Sequence, residues 1–216
     1  MSKACVELGG RTILERQLES IRSARRDAIV YTSPHDVDVE RVLTRIGAQL
    51  EVRRRLPEGV LADLLAIAGE VGCPFTTLDC DLVVDVHRLA AFLTPQLGDP
   101  AEWEAAVAVS RDDRGLGPRT VWVSTASQRG AVARVRALSR GSRPAAGRRL
   151  AGAYHWSSAV IARLAAAANS GATSLVGALT EAVRAGSPFA ALDVGRTFNV
   201  NTPSDLAAAA RSLNLV

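Results

Sequence analysis

Acidic side chains that follow a buried strand are the clearest candidates for chemistry in this sequence. Residues 75–79 (FTTLD) are typical of a short buried strand, and Asp79, Asp81 and Asp85 lie at its end or just beyond it. In an open α/β sheet, ligands bind beyond the carboxyl ends of the strands, so we expect at least one of these carboxylates to face a ligand. Such oxygens suit Mg²⁺, which binds one or two carboxylates together with substrate phosphates. Helix capping is the alternative role, and Asp85 fits it best because a predicted helix begins just after it.

Two amides near the end of the chain form a second candidate. Asn199 and Asn201 are two positions apart on a predicted short strand, so they share one face. A helix follows directly, and its start is marked by Thr202, Pro203 and Asp205, a typical capping sequence. A helix N-terminus can hold an anion, and the two amides can complete a metal shell. The alternative is a structural turn in which the amides bond backbone groups.

Lys3 and Gly59 each have two interpretations. Lys3 is the only lysine among 26 basic residues. Because ammonium and guanidinium groups are not interchangeable, it either has a chemical role or occurs by chance. Gly59 precedes a predicted helix, where it either lets a ligand approach the backbone closely or simply starts the helix. Gly9 and Gly10 lack the G-x-G-x-x-G spacing of a phosphate loop, so they predict a turn.

Composition excludes several classes of protein. The 216 residues, 48% hydrophobic and 22% charged, are ordinary for a soluble globular protein, and no apolar run approaches the ~18 residues of a membrane span. A net charge of +4 and 4% aromatic residues give no support for a nucleic-acid partner. Three histidines and three cysteines show no zinc spacing. The low cysteine content favours a reducing compartment, so the expected location is the cytoplasm.

The order of the predicted elements indicates an α/β fold. The first half alternates helices (11–25, 36–46, 60–71 and 86–97) with strands (28–32, 49–53 and 75–79). This alternation predicts a single domain over residues 1–216, with a mostly parallel Rossmann-like sheet and helices on both faces. An irregular β insertion is expected in the middle, with strands at 105–110, 121–125, 132–138 and 150–156 and an exposed loop at 139–149. Helices at 158–168 and 173–185, a strand at 189–192 and the helix after Thr202 complete the series.

Five segments along the chain can be compared with known families: residues 3–16 (KACVELGGRTILER), 57–59 (PEG), 77–81 (TLDCD), 151–154 (AGAY) and 198–206 (FNVNTPSDL). In this order they resemble the nucleotidyltransferases, a superfamily with a GT-A-like fold. It includes the sugar-1-phosphate nucleotidyltransferases and the molybdenum-cofactor guanylyltransferases. Each segment is weakly specific alone, and the match depends on their shared order.

The resemblance implies roles for individual residues. Lys3 matches the lysine that neutralises phosphate, and Asp81 matches the acid that holds Mg²⁺. Asn199 matches a second metal acid of the sugar-phosphate enzymes, although it is an amide here, and Asn201 stands where the second acid of the motif often is. The implied cofactor is Mg²⁺, held by Asp81 and Asn199.

The resemblance also implies a reaction: transfer of NMP from an NTP to a sugar phosphate or similar phosphate monoester, with release of pyrophosphate. The expected partners are the NTP and a phosphorylated small molecule, with Gly59 and Gly152 in the substrate site. Neither nucleic acid nor membrane is expected, and homo-oligomer formation is left open. Two alternatives also stay open, a molybdenum-cofactor guanylyltransferase-like enzyme and a non-catalytic domain that binds a nucleotide or a partner.

The sequence departs from the family at its start. The family's first strand and Gly-rich phosphate loop lie just before the matched lysine, whereas only two residues precede Lys3. We therefore expect roughly 15–25 further residues upstream, the length of a strand plus a loop.

Overall fold

The computed structural model describes residues 2–32, 36–48, 50–54, 58–95, 102–111, 120–126, 132–145 and 147–215. They form two compact units that interleave along the sequence. Unit 1 takes Met1–Arg55, Asp79–Pro95 and Arg196–Val216, and unit 2 takes Leu56–Leu78 and Gln96–Gly195. The single domain expected over residues 1–216 stays a prediction.

The helices and strands follow one another closely along the described chain. A 3₁₀ turn, Lys3–Cys5, comes first. The strands are β1 (Glu7–Leu8), β2 (Arg11–Thr12), β3 (Ile29–Thr32), β4 (Glu51–Arg54), β5 (Phe75–Leu78), β6 (Leu82–Val84), β7 (Ala105–Ser110), β8 (Val121–Thr125), β9 (Val132–Arg140), β10 (Arg148–Trp156), β11 (Phe189–Asp193) and β12 (Thr197–Asn199). The helices are α1 (Ile13–Ser23), α2 (Val37–Arg45), α3 (Val60–Val71), α4 (Val86–Leu93), α5 (Ser158–Asn169), α6 (Leu175–Arg184) and α7 (Pro203–Ser212).

Unit 1 contains three small pairs of strands and two apolar clusters. Strands β3 and β4 are parallel, whereas β1 with β2 and β6 with β12 are antiparallel. One cluster packs the 3₁₀ turn against α1 and α2 through Ala4, Cys5, Leu14, Leu18, Val39, Val42 and Leu43. The other joins the β1–β2 hairpin, β6, β12 and α7 through Leu8, Ile13, Val83, Phe198, Val200 and Ala209. These clusters hold the ends of β6 and β12 in place.

Unit 2 contains a closed ring of strands with a large core. The sheet order is β5-β10-β7-β11-β9-β8, and β8 also pairs with β10, which closes the ring. Trp156 is fully buried in this core, stacks on Tyr154 with ring centroids 5.2 Å apart, and donates from Nε1 to Thr77 Oγ1 at 2.9 Å. The hydrogen bond to Thr77 therefore gives the indole N–H of Trp156, the one polar group of that buried side chain, an acceptor.

An ion-pair cluster lies at the end of β11 in unit 2. The carboxylate of Asp193 accepts hydrogen bonds from Gly195 N at 2.8 Å, from Arg148 Nη1 at 2.5 Å and from Arg111 Nε. Burial by itself raises the pKa of Asp193, but these donors outweigh it and hold the pKa below its usual value. Arg148 is thus paired within the protein.

The mixed α/β character is confirmed, but the prediction of a mostly parallel sheet is wrong. Among the described strands, only β3 with β4 and β7 with β11 pair in parallel. The error arises because the hydrophobic pattern of a strand does not encode its direction. Strand β5 ends a run of alternating helices and strands, yet it pairs antiparallel with β10, which comes from the expected insertion.

Several local predictions are corrected in detail. The first and last residues of the expected 139–149 loop belong to β9 and β10. Helix α4 ends at Leu93, and Pro95 explains this early end because a proline disfavours helix in the residue before it. The turn at Gly9 and Gly10 is confirmed, with both residues at positive φ between β1 and β2. No helix within the described ranges has the length and apolar character needed to cross a bilayer.

Candidate functional site

Three of the predicted site residues meet at one point in unit 1. The ammonium Nζ of Lys3 donates to Asn201 Oδ1 at 2.5 Å and to Asp81 Oδ2 at 3.2 Å. These residues are 78 and 198 positions apart in sequence from Lys3. The fold therefore gathers a cation, a carboxylate and an amide from the three segments of unit 1.

Lys3 is positioned by the 3₁₀ turn at the start of the described chain. Val6 N donates to the Lys3 carbonyl at 3.2 Å, and Ala4 and Cys5 are buried in the cluster beneath the turn. The Lys3 side chain is 49% exposed. An ammonium has three donors, and two of them are used by Asp81 and Asn201, so the third remains for a ligand.

Asp81 is presented by a tight turn between β5 and β6. Leu82 N donates to Asp79 O at 3.1 Å, and Val200 N donates to Asp81 O at 3.1 Å. The Asp81 side chain is only 17% exposed. Its backbone is thereby fixed on the side of β12, and its carboxylate is directed to Lys3.

Asn201 is oriented by the start of α7. Asp205 and Thr202 form a capping box, and the Asp205 carboxylate also accepts from Asn201 N at 3.1 Å. The Asn201 Nδ2 group donates to Asn199 O at 3.2 Å. Because the amide nitrogen is used there, the carbonyl oxygen faces the lysine, which is the arrangement that an ammonium requires.

Asn199 carries a buried side-chain oxygen that receives no hydrogen bond from the residues that the structure describes. Asn199 pairs with Leu82 in the β6–β12 ladder, next to the turn that bears Asp81. Its Oδ1 is buried and accepts no hydrogen bond within the described part of the chain. A buried acceptor of this kind calls for an explanation, and a cation is one that its chemistry fits.

The donor set fits Mg²⁺ as an ion shared with phosphates. In the described ranges, no three His, Cys, Asp or Glu side chains gather into a metal-binding cluster. Asp81 with the oxygen of Asn199 supplies one carboxylate and one amide. Mg²⁺ typically takes few protein ligands and completes its shell with water and substrate phosphates.

The two candidate glycines belong to unit 2, whereas the lysine, acid and amides belong to unit 1. Gly59 is the N-cap of α3 with φ +100°, and apart from its chain neighbours no described residue has an atom within 4 Å of the place where a Cβ would stand. Gly152 is buried in β10 with φ +71°, at the register shift between Leu150 and Tyr154. That shift is a β-bulge, and a positive φ there favours glycine for backbone reasons alone.

The expected cap at Asp85 is confirmed, because its Oδ1 accepts from His87 N and Arg88 N, each at 3.1 Å. This separates Asp85 from the metal candidates. Sequence reasoning missed Gln17, whose side chain contacts the Asp81 turn. The available signal was a glutamine on the apolar face of α1, between Leu14 and Leu18.

The fold resembles solved nucleotidyltransferases over nearly the whole chain. The inositol-1-phosphate CTP transferase from T. maritima superposes with a TM-score of 0.75 at 16% identity, covering 100% of this chain and 86% of that one. An apo UDP-glucose pyrophosphorylase gives 0.71 at 10% identity, covering 99% and 90%. The UTP-bound enzyme from Acinetobacter baumannii gives 0.68 at 14% identity, covering 100% and 86%. The sequence matches no protein-family model and no curated protein.

Proposed function

We propose that this chain transfers NMP from an NTP to a sugar phosphate or a similar phosphate monoester, with release of pyrophosphate. The observation that carries the proposal is the meeting of Lys3, Asp81 and Asn201 at one point of unit 1. The fold supports it, since the solved structures that share this fold include an inositol-1-phosphate CTP transferase and UDP-glucose pyrophosphorylases. One is UTP-bound, and another is complexed with UDP-glucose.

The proposed reaction needs no protein nucleophile. An oxygen of the phosphate monoester attacks the α-phosphorus of the NTP, and the bond from that phosphorus to the bridging oxygen of pyrophosphate breaks. Both reactants are anions, so the protein's task is to place them in line and to offset their charge.

Lys3 is the group that offsets this charge. Its ammonium is held by two acceptors and is half exposed, so it is oriented before substrate arrives and still accessible to it. A preoriented cation stabilises developing negative charge without the cost of reorganisation. Asp81 and the oxygen of Asn199 would hold Mg²⁺, which supplies further positive charge to the phosphates when bound.

The remaining parts of the proposal concern the substrate and its setting. Gly59 has open space where a side chain would stand, so its backbone is available to a nucleotide or sugar. Gly152 is proposed as the second substrate-binding glycine. NTP and a phosphorylated small molecule are the partners, and the cytoplasm is the place of action.

Ligand-dependent stabilisation followed by turnover tests the proposal. A panel of NTPs and NDP-sugars, each with and without Mg²⁺, should raise the melting temperature for at least one nucleotide, because a ligand of the folded state stabilises it. Pyrophosphate release is then measured with that NTP and a panel of sugar phosphates. Asp81→Asn should abolish release, whereas Asp85→Asn should retain it, because that change removes the charge of the capping acid but keeps an oxygen that can cap the helix. Release that is equal in wild type and Asp81→Asn would contradict the proposal.

A further inference from the structure

We infer that Gln17 is a positioning residue that sets the Asp81 carboxylate for its work on the phosphates. The catalytic consequence of this inference rests on the proposed function, while the positioning itself does not. Gln17 lies on α1, far from Asp81 in sequence, and only 7% of it is exposed.

Within the described part of the chain, both hydrogen bonds of the Gln17 side chain go to the Asp81 turn. Its Nε2 donates to Asp79 O at 2.9 Å and to Leu82 O at 2.9 Å, the two carbonyls that flank Cys80 and Asp81. A primary amide has two N–H donors, and both are used here. The opposite orientation would place Oε1 against two carbonyl oxygens, so the direction of the amide is determined by its acceptors.

Together, these bonds fix both sides of the turn. Val200 N, directly after β12, donates to the carbonyl of Asp81, and Gln17 donates to the neighbouring carbonyls from α1. The turn spans only Asp79 to Leu82 and is closed by the hydrogen bond from Leu82 N to Asp79 O. Without Gln17, the carbonyls of Asp79 and Leu82 would each lose the donor that comes from α1, although they lie in a buried or partly buried place.

The amide at position 17 is explained by the turn that it bonds. The inward face of α1 also carries Ile13, Leu14 and Leu18, and an apolar side chain at position 17 would leave the two turn carbonyls with one donor fewer each. Burying an amide is costly unless both its donors are used, and here they are used on the turn that presents the carboxylate. Residues that orient a metal-binding side chain typically contribute about 10–100-fold to metal affinity or activity.

The sole lysine offers a direct readout of the Asp81 position in the ligand-free protein. Labelling with isotopic lysine yields one side-chain signal, that of Lys3, which contacts Asp81. Its NMR shift is measured in wild type, in Asp81→Asn as the reference for a lost ion pair, and in Gln17→Met, which keeps the volume but loses both donors. Ser20→Ala is the matched control, since Ser20 is also buried on α1 and its hydroxyl donates to Arg16 O within the helix rather than to the Asp81 turn.

The expected result is that Gln17→Met moves the Lys3 signal at least half of the way to its position in Asp81→Asn, while Ser20→Ala leaves it in place. A signal that coincides with wild type overturns the inference, as does an Asp81→Asn signal equal to wild type. If Gln17→Met does not fold, Gln17→Asn replaces it, because it keeps the amide but is one methylene too short to reach both carbonyls.

Kinetics then separate the inference from the proposed function. With an active NTP, Gln17→Met should lower kcat about tenfold and leave the KM for the NTP within about twofold. An unchanged kcat together with a moved Lys3 signal refutes the catalytic consequence of the positioning. Pyrophosphate release that survives Asp81→Asn refutes the proposed function instead, and the Lys3 signal still decides whether Gln17 positions Asp81.

Discussion

Replacing Lys3 with methionine separates a catalytic cation from a structural one. The Nζ–Oδ2 distance to Asp81 is 3.2 Å, and at an effective dielectric constant of about 20 the gross attraction is about 5 kcal/mol. The lysine is 49% exposed, however, and the net contribution of exposed ion pairs to the free energy of unfolding is about 0–1 kcal/mol. Lys3→Met should therefore lower the melting temperature by no more than about 4 °C.

The same substitution should have a much larger effect on turnover. Removing one preoriented group that stabilises charge in the transition state typically costs about 10²–10³-fold in kcat. Lys3→Arg should not restore the rate, because a guanidinium is longer and spreads its charge over a planar fork, whereas the ammonium is a compact charge held at one point by Asn201 and Asp81. The assay is pyrophosphate release with saturating NTP, alongside thermal unfolding of the same samples.

Arg11→Met is the matched control for this experiment. Arg11 forms an exposed ion pair with Glu19 in the same unit at 2.7 Å, away from the Asp81 turn. Its loss should leave both turnover and melting temperature close to wild type. A wild-type rate in Lys3→Met would refute the reasoning, and so would a fall in stability of several kcal/mol, which would make the lysine a structural residue.

Three further predictions concern stability and reactivity. The pKa of Asp193 is held below its unfolded value of ~3.9, so its contribution is complete above that pH and is lost as the pH falls through the folded pKa. Asp193→Asn should therefore flatten the loss of stability seen below about pH 4. Trp156→Phe should lower the free energy of unfolding in urea by about 2 kcal/mol, since Thr77 loses its donor. Burial, followed by nearby acids, raises the pKa of Cys5 to about 11, so a thiol reagent at pH 8 should label the exposed Cys80 first.

Each of these has an outcome that contradicts it. An acid-unfolding profile of Asp193→Asn that superposes on wild type would show that the ion-pair cluster does not govern stability at low pH. A urea midpoint for Trp156→Phe equal to wild type would show that the hydrogen bond from Trp156 to Thr77 does not stabilise the folded protein. Labelling of Cys5 at the rate of Cys80 in the folded protein would contradict the burial of that thiol.

Most helices and strands could be predicted from the sequence because the side chains within each one determine where it begins and ends. The apolar run 105–109 marks a strand, and the capping residues Thr202 and Asp85 mark the starts of two helices. Strand direction is not local, and β5 with β10 shows the consequence. The short strand Leu82–Val84 was missed because three residues carry no readable alternation.

The site was predictable in part, for the same reason. Lys3, Asp81 and Asn201 stood out by residue type and by their place in resembling motifs, and the fold brings them together. The role of Gln17 was not predicted, because it depends on the backbone carbonyls of Asp79 and Leu82, whose positions cannot be inferred from the pattern of side chains. Whether Gly59 and Gly152 contribute to the same chemistry stays a prediction.

Because the two units interleave along the sequence, their segments are synthesised in a fixed order. All of unit 2, with its closed ring of strands, is translated before Arg196–Val216, the segment that completes unit 1. Domains generally fold as units during synthesis, so unit 2 can close on the ribosome while unit 1 waits for its last segment. A polypeptide stalled before Arg196 carries the ammonium of Lys3 and the carboxylate of Asp81 but not the amide of Asn201, and the three-part arrangement exists only once the third segment of unit 1 has been translated.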